Sequence, residues 1–175
     1  MHLSDKQHKS LINRMIRVNH AGEYAAKLIY QGQLSVLKGD DARVVSEMLK
    51  AELEHLQYFE EEIRSRNVRP TLLLPLINVL AYGLGVIMAK LGKESAMACT
   101  IAVEEVISDH YEEQLEQLGE EEKELSNNIK KFKQDEVHHL DVAVQNDGTK
   151  AIGYNVISGV IKKGCCIAIK LVTFL

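Results

Sequence analysis

The chain has 175 residues, 46% of them hydrophobic and 26% charged, with a net charge of −4. That length supports one domain with a real core, and the composition excludes a disordered chain. The acidic balance, with no strong basic block, excludes nucleic acid as a partner.

Gly and Pro together supply only 13 residues. An all-β sandwich turns too often for that, so a few long helices are predicted. Punctuation sets their limits. The first helix is predicted near 5–37 and ends at the turn Lys38-Gly39-Asp40-Asp41, where an Asp is available as N-cap. The second runs near 41–66 and stops at Arg69-Pro70, because Pro lacks an N–H and restricts its predecessor. Breaks at Gly92, Gly119 and Asn146-Asp147-Gly148 delimit helices near 94–118, 122–145 and 150–173.

The segment 70–91 is different. From Pro70 to Ala89 there is no charged residue. Twenty such residues reach across about 30 Å of hydrocarbon, but Pro75, Asn78, Gly83 and Gly85 weaken a straight span. Arg64, Arg66 and Arg69 precede the segment and Lys90 and Lys93 follow it. Positive charge on both flanks favours a segment lying in one leaflet over a full span, which should be asymmetric. A buried core helix is the alternative. The candidates for substrate or membrane contact here are Leu72, Leu73, Leu74, Leu76, Ile77, Leu80, Leu84 and Ile87. The last helix is also apolar, with Lys162, Lys163 and Lys170 as its only charges beyond Lys150. It suits a membrane surface, a partner or the core equally.

Cys99, Cys165 and Cys166 are odd in number and two are adjacent. They build neither a disulfide framework nor a CxxC metal site, and they read as thiols of a reducing compartment. The polar N-terminus carries no signal-peptide pattern, which predicts residence in the cytoplasm or on a surface facing it.

The chemistry lies in carboxylates on faces that should be apolar. In 41–66, Val45, Met48, Leu49, Leu56, Phe59 and Ile63 form one stripe, and Glu52 and His55 fall inside it. In 122–145, Ile129, Phe132, Leu140 and Ala143 set the face that carries Glu136 and His139. Both pairs read Glu-x-x-His, which places a carboxylate beside an imidazole on one helix face, fit for one metal ion. Chance supplies roughly 0.7 such matches in this composition, so context must decide. The other two long helices supply it. Glu104 lies within the stripe Met97, Thr100, Ile101, Ile107, Tyr111, Leu115, Leu118. Glu23 shares a face with Ile16, Ala26, Tyr30 and Leu34.

An internal repeat links them. Tyr30, Gln33 and Leu34 follow Glu23 at the same offsets at which Tyr111, Gln114 and Leu115 follow Glu104. Each Glu is then followed by its own Glu-x-x-His, as two helical hairpins related by pseudo-symmetry require. Four carboxylates at one level of an apolar bundle make sense if two divalent cations balance them. Oxygen-rich sites with imidazole suit Fe or Mn rather than structural zinc. The arrangement matches that of ferritin-like di-iron proteins. The acidic runs 60–62 and 120–122 read as solvated helix ends. His2, His8 and His138 read as surface residues. Tyr30, Tyr111 and His110, which neighbours Tyr111, are candidates to hydrogen-bond the ligands.

Longer motifs carry a resemblance. Met15-Ile16-Arg17-Val18-Asn19-His20-Ala21-Gly22-Glu23-Tyr24, Arg69-Pro70-Thr71 leading into Asn78-Val79-Leu80, the run from Gly92 to Thr100, Val103-Glu104-Glu105 and Asp135-Glu136-Val137-His138-His139 together resemble the demethoxyubiquinone hydroxylase family of ubiquinone biosynthesis. The resemblance covers nearly the whole chain. Asn19 stands where many members have Asp. With no organelle-targeting extension, the chain resembles a bacterial member.

The resemblance implies an all-α, ferritin-like four-helix bundle in a single domain, with 70–91 as an extra membrane-surface helix and an apolar C-terminal helix. It implies two Fe ions per chain, with Mn as the alternative, held by Glu23, Glu52, His55, Glu104, Glu136 and His139. Glu52 and Glu136 would bridge, and Glu23 and Glu104 would be terminal. It implies an O2-dependent monooxygenase that hydroxylates the ring of a polyprenylated demethoxyubiquinol, attached peripherally to the cytoplasmic face of the cell membrane. Its other partners would be an electron donor and a lipid-binding protein of the same pathway. The chain has no nucleotide-binding glycine motif, so a partner, NADH docked without that motif, or the quinol itself supplies electrons. Two other readings remain open at this level. One is a ferritin-like ferroxidase or iron-handling protein, which has no need of the uncharged segment. The other is a non-enzymatic membrane-surface scaffold, which leaves the carboxylates unexplained.

Overall fold

The computed structural model describes residues 5–175. His2 lies outside the described residues. Helices α1 (Asp5–Leu34), α2 (Gly39–Ser65), α3 (Leu74–Lys90), α4 (Lys93–Leu115), α5 (Lys123–Gln145) and α6 (Tyr154–Phe174) follow in chain order. Two short 3-10 turns, Glu120–Glu122 and Gly148–Lys150, precede α5 and α6. There is no strand among the described residues.

All predicted helices form, with shifted ends. α1 stops at Leu34 and α4 at Leu115, each earlier than predicted, and both chains tighten into turns in which Gln33 and Gln114 carbonyls accept from two following amides. No Asp caps α2. The helix begins at Gly39 after an extended Lys38, and Asp40 and Asp41 sit in the first turn, where carboxylates favour the positive helix end. The apolar segment forms the single helix α3, with Pro75 in its first turn, where a missing N–H costs nothing. None of the described helices is long and apolar enough to cross a membrane.

α1 with α2 and α4 with α5 form two closely packed hairpins, and these face each other less closely. The wider gap between hairpins is the volume that the inward side chains fill. One apolar layer closes one end, through Ile12, Ile16, Phe59, Leu125, Ile129 and Phe132. Another closes the opposite end, through Leu37, Val45, Met48, Met97, Ile101 and Ala143. The Glu and His side chains lie between these layers.

α3 and α6 are laid on the bundle from outside. α3 packs on α1 across an unusually tight crossing. A Cβ on Gly85 would stand 2.1 Å from the Ile29 carbonyl oxygen, and one on Gly32 would stand 2.3 Å from that of Tyr82. Only glycine at both positions lets the two backbones approach so far. α6 packs on α4 and α1, burying Ser158, Ile161 and Val172. The outer sides of both helices remain apolar and exposed, with Leu72, Leu76, Val79, Leu80 and Ile87 on and just before α3, and Val156, Val160, Ile167 and Phe174 on α6.

Candidate metal centre

Each of the four bundle helices contributes to one buried cluster. α2 presents Glu52 and His55 from the same stripe that buries Val45, Leu56 and Phe59. α5 presents Glu136 and His139 beside Phe132 and Ala143. α1 adds Glu23 and α4 adds Glu104. None of the six is more than 3% exposed. One ligand atom from each of Glu23, Glu52, His55 and Glu136 falls within 4.8 Å of the others, and the same holds for Glu52, Glu104, Glu136 and His139. The two groups share Glu52 and Glu136. Each group adds one further Glu and one His to that shared pair.

The imidazoles point inward through Nδ1. His55 Nδ1 lies 3.2 Å from Glu136 and 3.6 Å from Glu23, and His139 Nδ1 lies 3.1 Å from Glu52 and 3.4 Å from Glu136. These approaches lack hydrogen-bond geometry. Glu23 Oε2, both oxygens of Glu52, Glu104 Oε2, both oxygens of Glu136, and Nδ1 of His55 and of His139 are buried without a hydrogen-bond partner. A protein core does not tolerate so many orphaned acceptors at one point, because each costs about 1–3 kcal/mol and more when charged. Shared cations satisfy all of them at once, so the donor set fits a pair of divalent metal ions.

Electrostatics give the same answer. Burial, then the Glu136 charge, pushes Glu52 and Glu104 well above the usual carboxylate range. Burial pushes Glu136 up as well, but the imidazoles of His139 and His55 outweigh it and hold Glu136 at about 2. Burial lowers His55, and Glu136 and Glu23 outweigh it, raising His55 to about 11. Without cations, therefore, the cluster must take up protons to stay buried.

The internal repeat appears as reciprocal bracing between α1 and α4. Tyr30 of α1 donates to Glu104 Oε1 at 2.5 Å, and Tyr111 of α4 donates to Glu23 Oε1. Burial first, then the charge of the accepting carboxylate, holds each phenol protonated. The repeat extends one turn further. Gln114 and Asn19 exchange two side-chain hydrogen bonds at 2.7 and 2.8 Å, and Gln33 donates to the Ala96 carbonyl at 3.1 Å and to Thr100 at 3.5 Å. Asn19 and Thr100 stand four residues before Glu23 and Glu104.

An apolar cavity of about 110 Å³ reaches the cluster between α1 and α4, walled by Ile77 of α3 and by Cys165, Ala168, Ile169 and Val172 of α6. Its polar groups are few: Asn19, Glu23, His110 and Tyr111. Such a pocket, greasy along its walls with polar groups gathered at the Glu/His cluster, suits an apolar molecule with one reactive polar end.

Residues 10–172 match the profile of the family described as "Ubiquinone biosynthesis protein COQ7". The chain belongs to this family. It is 45% identical over 173 residues to the NADPH-dependent 3-demethoxyubiquinone 3-hydroxylase of Dictyostelium discoideum, covering 97% of this chain and 80% of the relative. It is 44% identical over 172 residues to the human protein of the same name, covering 95% and 79%. It is 42% identical over 167 residues to the 3-demethoxyubiquinol 3-hydroxylase of Rhodospirillum rubrum, covering 94% and 79%.

All six metal-ligand candidates of this COQ7-family chain meet in one cluster. Tyr30 and Tyr111 each donate to a carboxylate of the cluster. His110 lines the cavity, with Nδ1 3.8 Å from Glu113 and Nε2 buried without a partner; burial lowers its pKa. It makes no hydrogen bond to a ligand. The apolar candidates before and along α3 divide. Ile77 lines the cavity, Leu73, Leu74 and Leu84 are half-buried, and Leu72, Leu76, Leu80 and Ile87 are exposed. His138 is exposed, as expected, but His8 is half-buried beside Glu121 and Glu122.

Sequence reasoning missed Asp135, whose Oδ2 lies 3.1 Å from His55 Nε2. The signal was present: a helical residue adjacent to an inward Glu projects about 100° around the helix, towards the neighbouring element. It also missed the α6 wall of the cavity, which no sequence period reveals.

Proposed function

We propose that this protein is a two-iron, O2-dependent hydroxylase acting on the ring of a polyprenylated demethoxyubiquinol. The convergence of orphaned carboxylate and imidazole atoms at the polar end of an apolar cavity carries this reading. The relatives' names supply the substrate class, and the cavity suits it: a quinol has a polar ring and a long apolar tail. Glu23, Glu52, His55, Glu104, Glu136 and His139 hold the ions, which supply O2 activation when bound. Iron fits the oxygen-rich donor set, with manganese as the competing ion.

The chain's own groups do the rest. The apolar walls seat the ring and exclude water, which strengthens every electrostatic interaction at the cluster. His110 and Tyr111 stand where the ring hydroxyls arrive, His110 with a free nitrogen and Tyr111 with its proton committed to Glu23. One oxygen atom replaces a ring hydrogen as hydroxyl and the other leaves as water, with two electrons and two protons taken from an external donor. The names of several relatives point to NADPH as that donor. The exposed apolar sides of α3 and α6 bring the cavity to the membrane surface, where the prenyl tail resides.

The test is incubation of the iron-loaded protein with a short-chain demethoxyubiquinol, NADPH and 18O2. One labelled oxygen in the hydroxylated ring is the expected product. Oxidation of Fe(II) with no ring hydroxylation would replace this reading with a ferroxidase.

A further inference from the structure

The two halves of the metal centre follow the internal repeat, but they differ behind the two imidazoles. Asp135 immediately precedes Glu136 on α5, and its Oδ2 lies 3.1 Å from Nε2 of His55 on α2. The residue that immediately precedes Glu52 on α2 is Ala51. An alanine offers no acceptor, so His139 has no counterpart of Asp135 at the repeat-related position. What stands there is space. Ala51 and His139 both line a cleft of about 330 Å³ between α2 and α5, with Arg43, Glu47, Asp135 and His138 around them.

The chemistry of the two imidazoles therefore differs. His55 donates its Nε2–H to a carboxylate, which fixes the ring and presents Nδ1 towards Glu136 and Glu23, the nitrogen an ion would take in place of a proton. A carboxylate behind a ligating imidazole also raises its basicity as a donor. His55 is further pinned by Phe132, whose ring centroid lies 4.1 Å away. His139 borders a cleft large enough for water, which holds an imidazole less rigidly than a fixed carboxylate does.

We propose that Asp135 is a positioning residue that makes the two ion positions unequal. The ion between Glu23 and His55 is the tighter and slower to exchange. The ion between Glu104 and His139 is the labile one, open to exchange through the α2–α5 cleft. The inference rests on the two-metal reading above and deepens it.

The test uses Co(II), whose visible absorption reports ligand geometry, titrated into the full-length metal-free protein. The wild type takes two ions in two resolved steps. Asp135→Ala weakens the tighter step by about 10–100-fold, changes its absorption band and leaves the weaker step in place. Asp135→Asn keeps a side-chain oxygen as acceptor and recovers part of that loss. Ala51→Asp supplies the missing carboxylate and tightens the weaker step. Asp135 is partly exposed, so its variants fold, and unchanged thermal unfolding of the metal-free forms checks this. Two equal steps in the wild type, or equal weakening of both steps in Asp135→Ala, would overturn the proposal while leaving a metal centre. No Co(II) uptake by the wild type would remove the metal reading itself.

Discussion

Tyr30 on α1 donates its phenolic hydrogen across the bundle to Glu104 on α4, at 2.5 Å. Its repeat mate Tyr111 returns the same bond from α4 to Glu23 on α1. Each hairpin thus holds a buried carboxylate of the other in place, and the two hairpins are braced through the cluster itself. Replacing either phenol by Phe leaves a buried carboxylate oxygen without its donor. Tyr30→Phe and Tyr111→Phe are each expected to lower the stability of the metal-free protein by about 1–3 kcal/mol in urea unfolding. Both keep all six ligands and still load metal.

The α1–α3 crossing gives a second prediction. Gly85→Ala forces a Cβ to within 2.1 Å of the Ile29 carbonyl oxygen, so the helices must separate. A loss of about 1–3 kcal/mol is expected, as for other overpacked sites. Gly83→Ala, on the same helix with nothing within 4 Å of the added Cβ, is neutral or stabilising by up to about 1 kcal/mol. Thermal unfolding of the pair separates close packing from helix propensity.

Metal removal should make stability depend on pH in a definite direction. Glu52 and Glu104 are raised above their ordinary 4.5, and His55 is raised from 6.5 to about 11. Groups raised on folding hold protons more tightly in the native state. Their contribution is complete below their unfolded pKa values and is lost as pH climbs towards the folded ones. Glu136 has the opposite sign, but its window, from about 2 to 4.5, lies lower. His20 and His110, lowered by burial, also oppose the fall, but only up to their unfolded 6.5, above which the raised groups act alone. The metal-stripped protein should therefore lose thermal stability from about pH 5 to pH 9, and metal should flatten the profile by replacing the protons. A rising profile for the stripped protein would contradict the electrostatic account.

Leu76 and Leu80 are 55% and 62% exposed on the outer side of α3. Leu76→Glu with Leu80→Glu should weaken sedimentation with phospholipid vesicles while leaving the thermal unfolding of the soluble protein unchanged. Unaltered vesicle binding would remove α3 from the membrane-facing surface.

The buried Glu/His cluster was legible in sequence because a buried carboxylate violates the apolar period of its helix. Glu52, His55, Glu136 and His139 each interrupt a stripe that Val45, Phe59, Ile129 and Phe132 otherwise keep. The Tyr30–Tyr111 repeat was legible for the same reason, as equal spacing on two helices. Helix ends were less so. α2 was expected to take an Asp cap, but the chain enters it from an extended Lys38, with Asp40 and Asp41 already inside the first turn. The α6 wall of the cavity and the Asp135–His55 bond were hidden because both are contacts between elements. No period within one helix encodes which neighbour lies across from Cys165 or Asp135.

The most direct measurement is metal content of the wild-type protein and of Glu136→Gln after anaerobic Fe(II) loading. Glu136 belongs to both four-residue groups, and glutamine keeps its volume while removing its charge. The account predicts two irons per wild-type chain and loss of both, or of all but weakly held iron, in the variant. An iron-free wild type, or a variant that keeps two tightly bound irons, would contradict it.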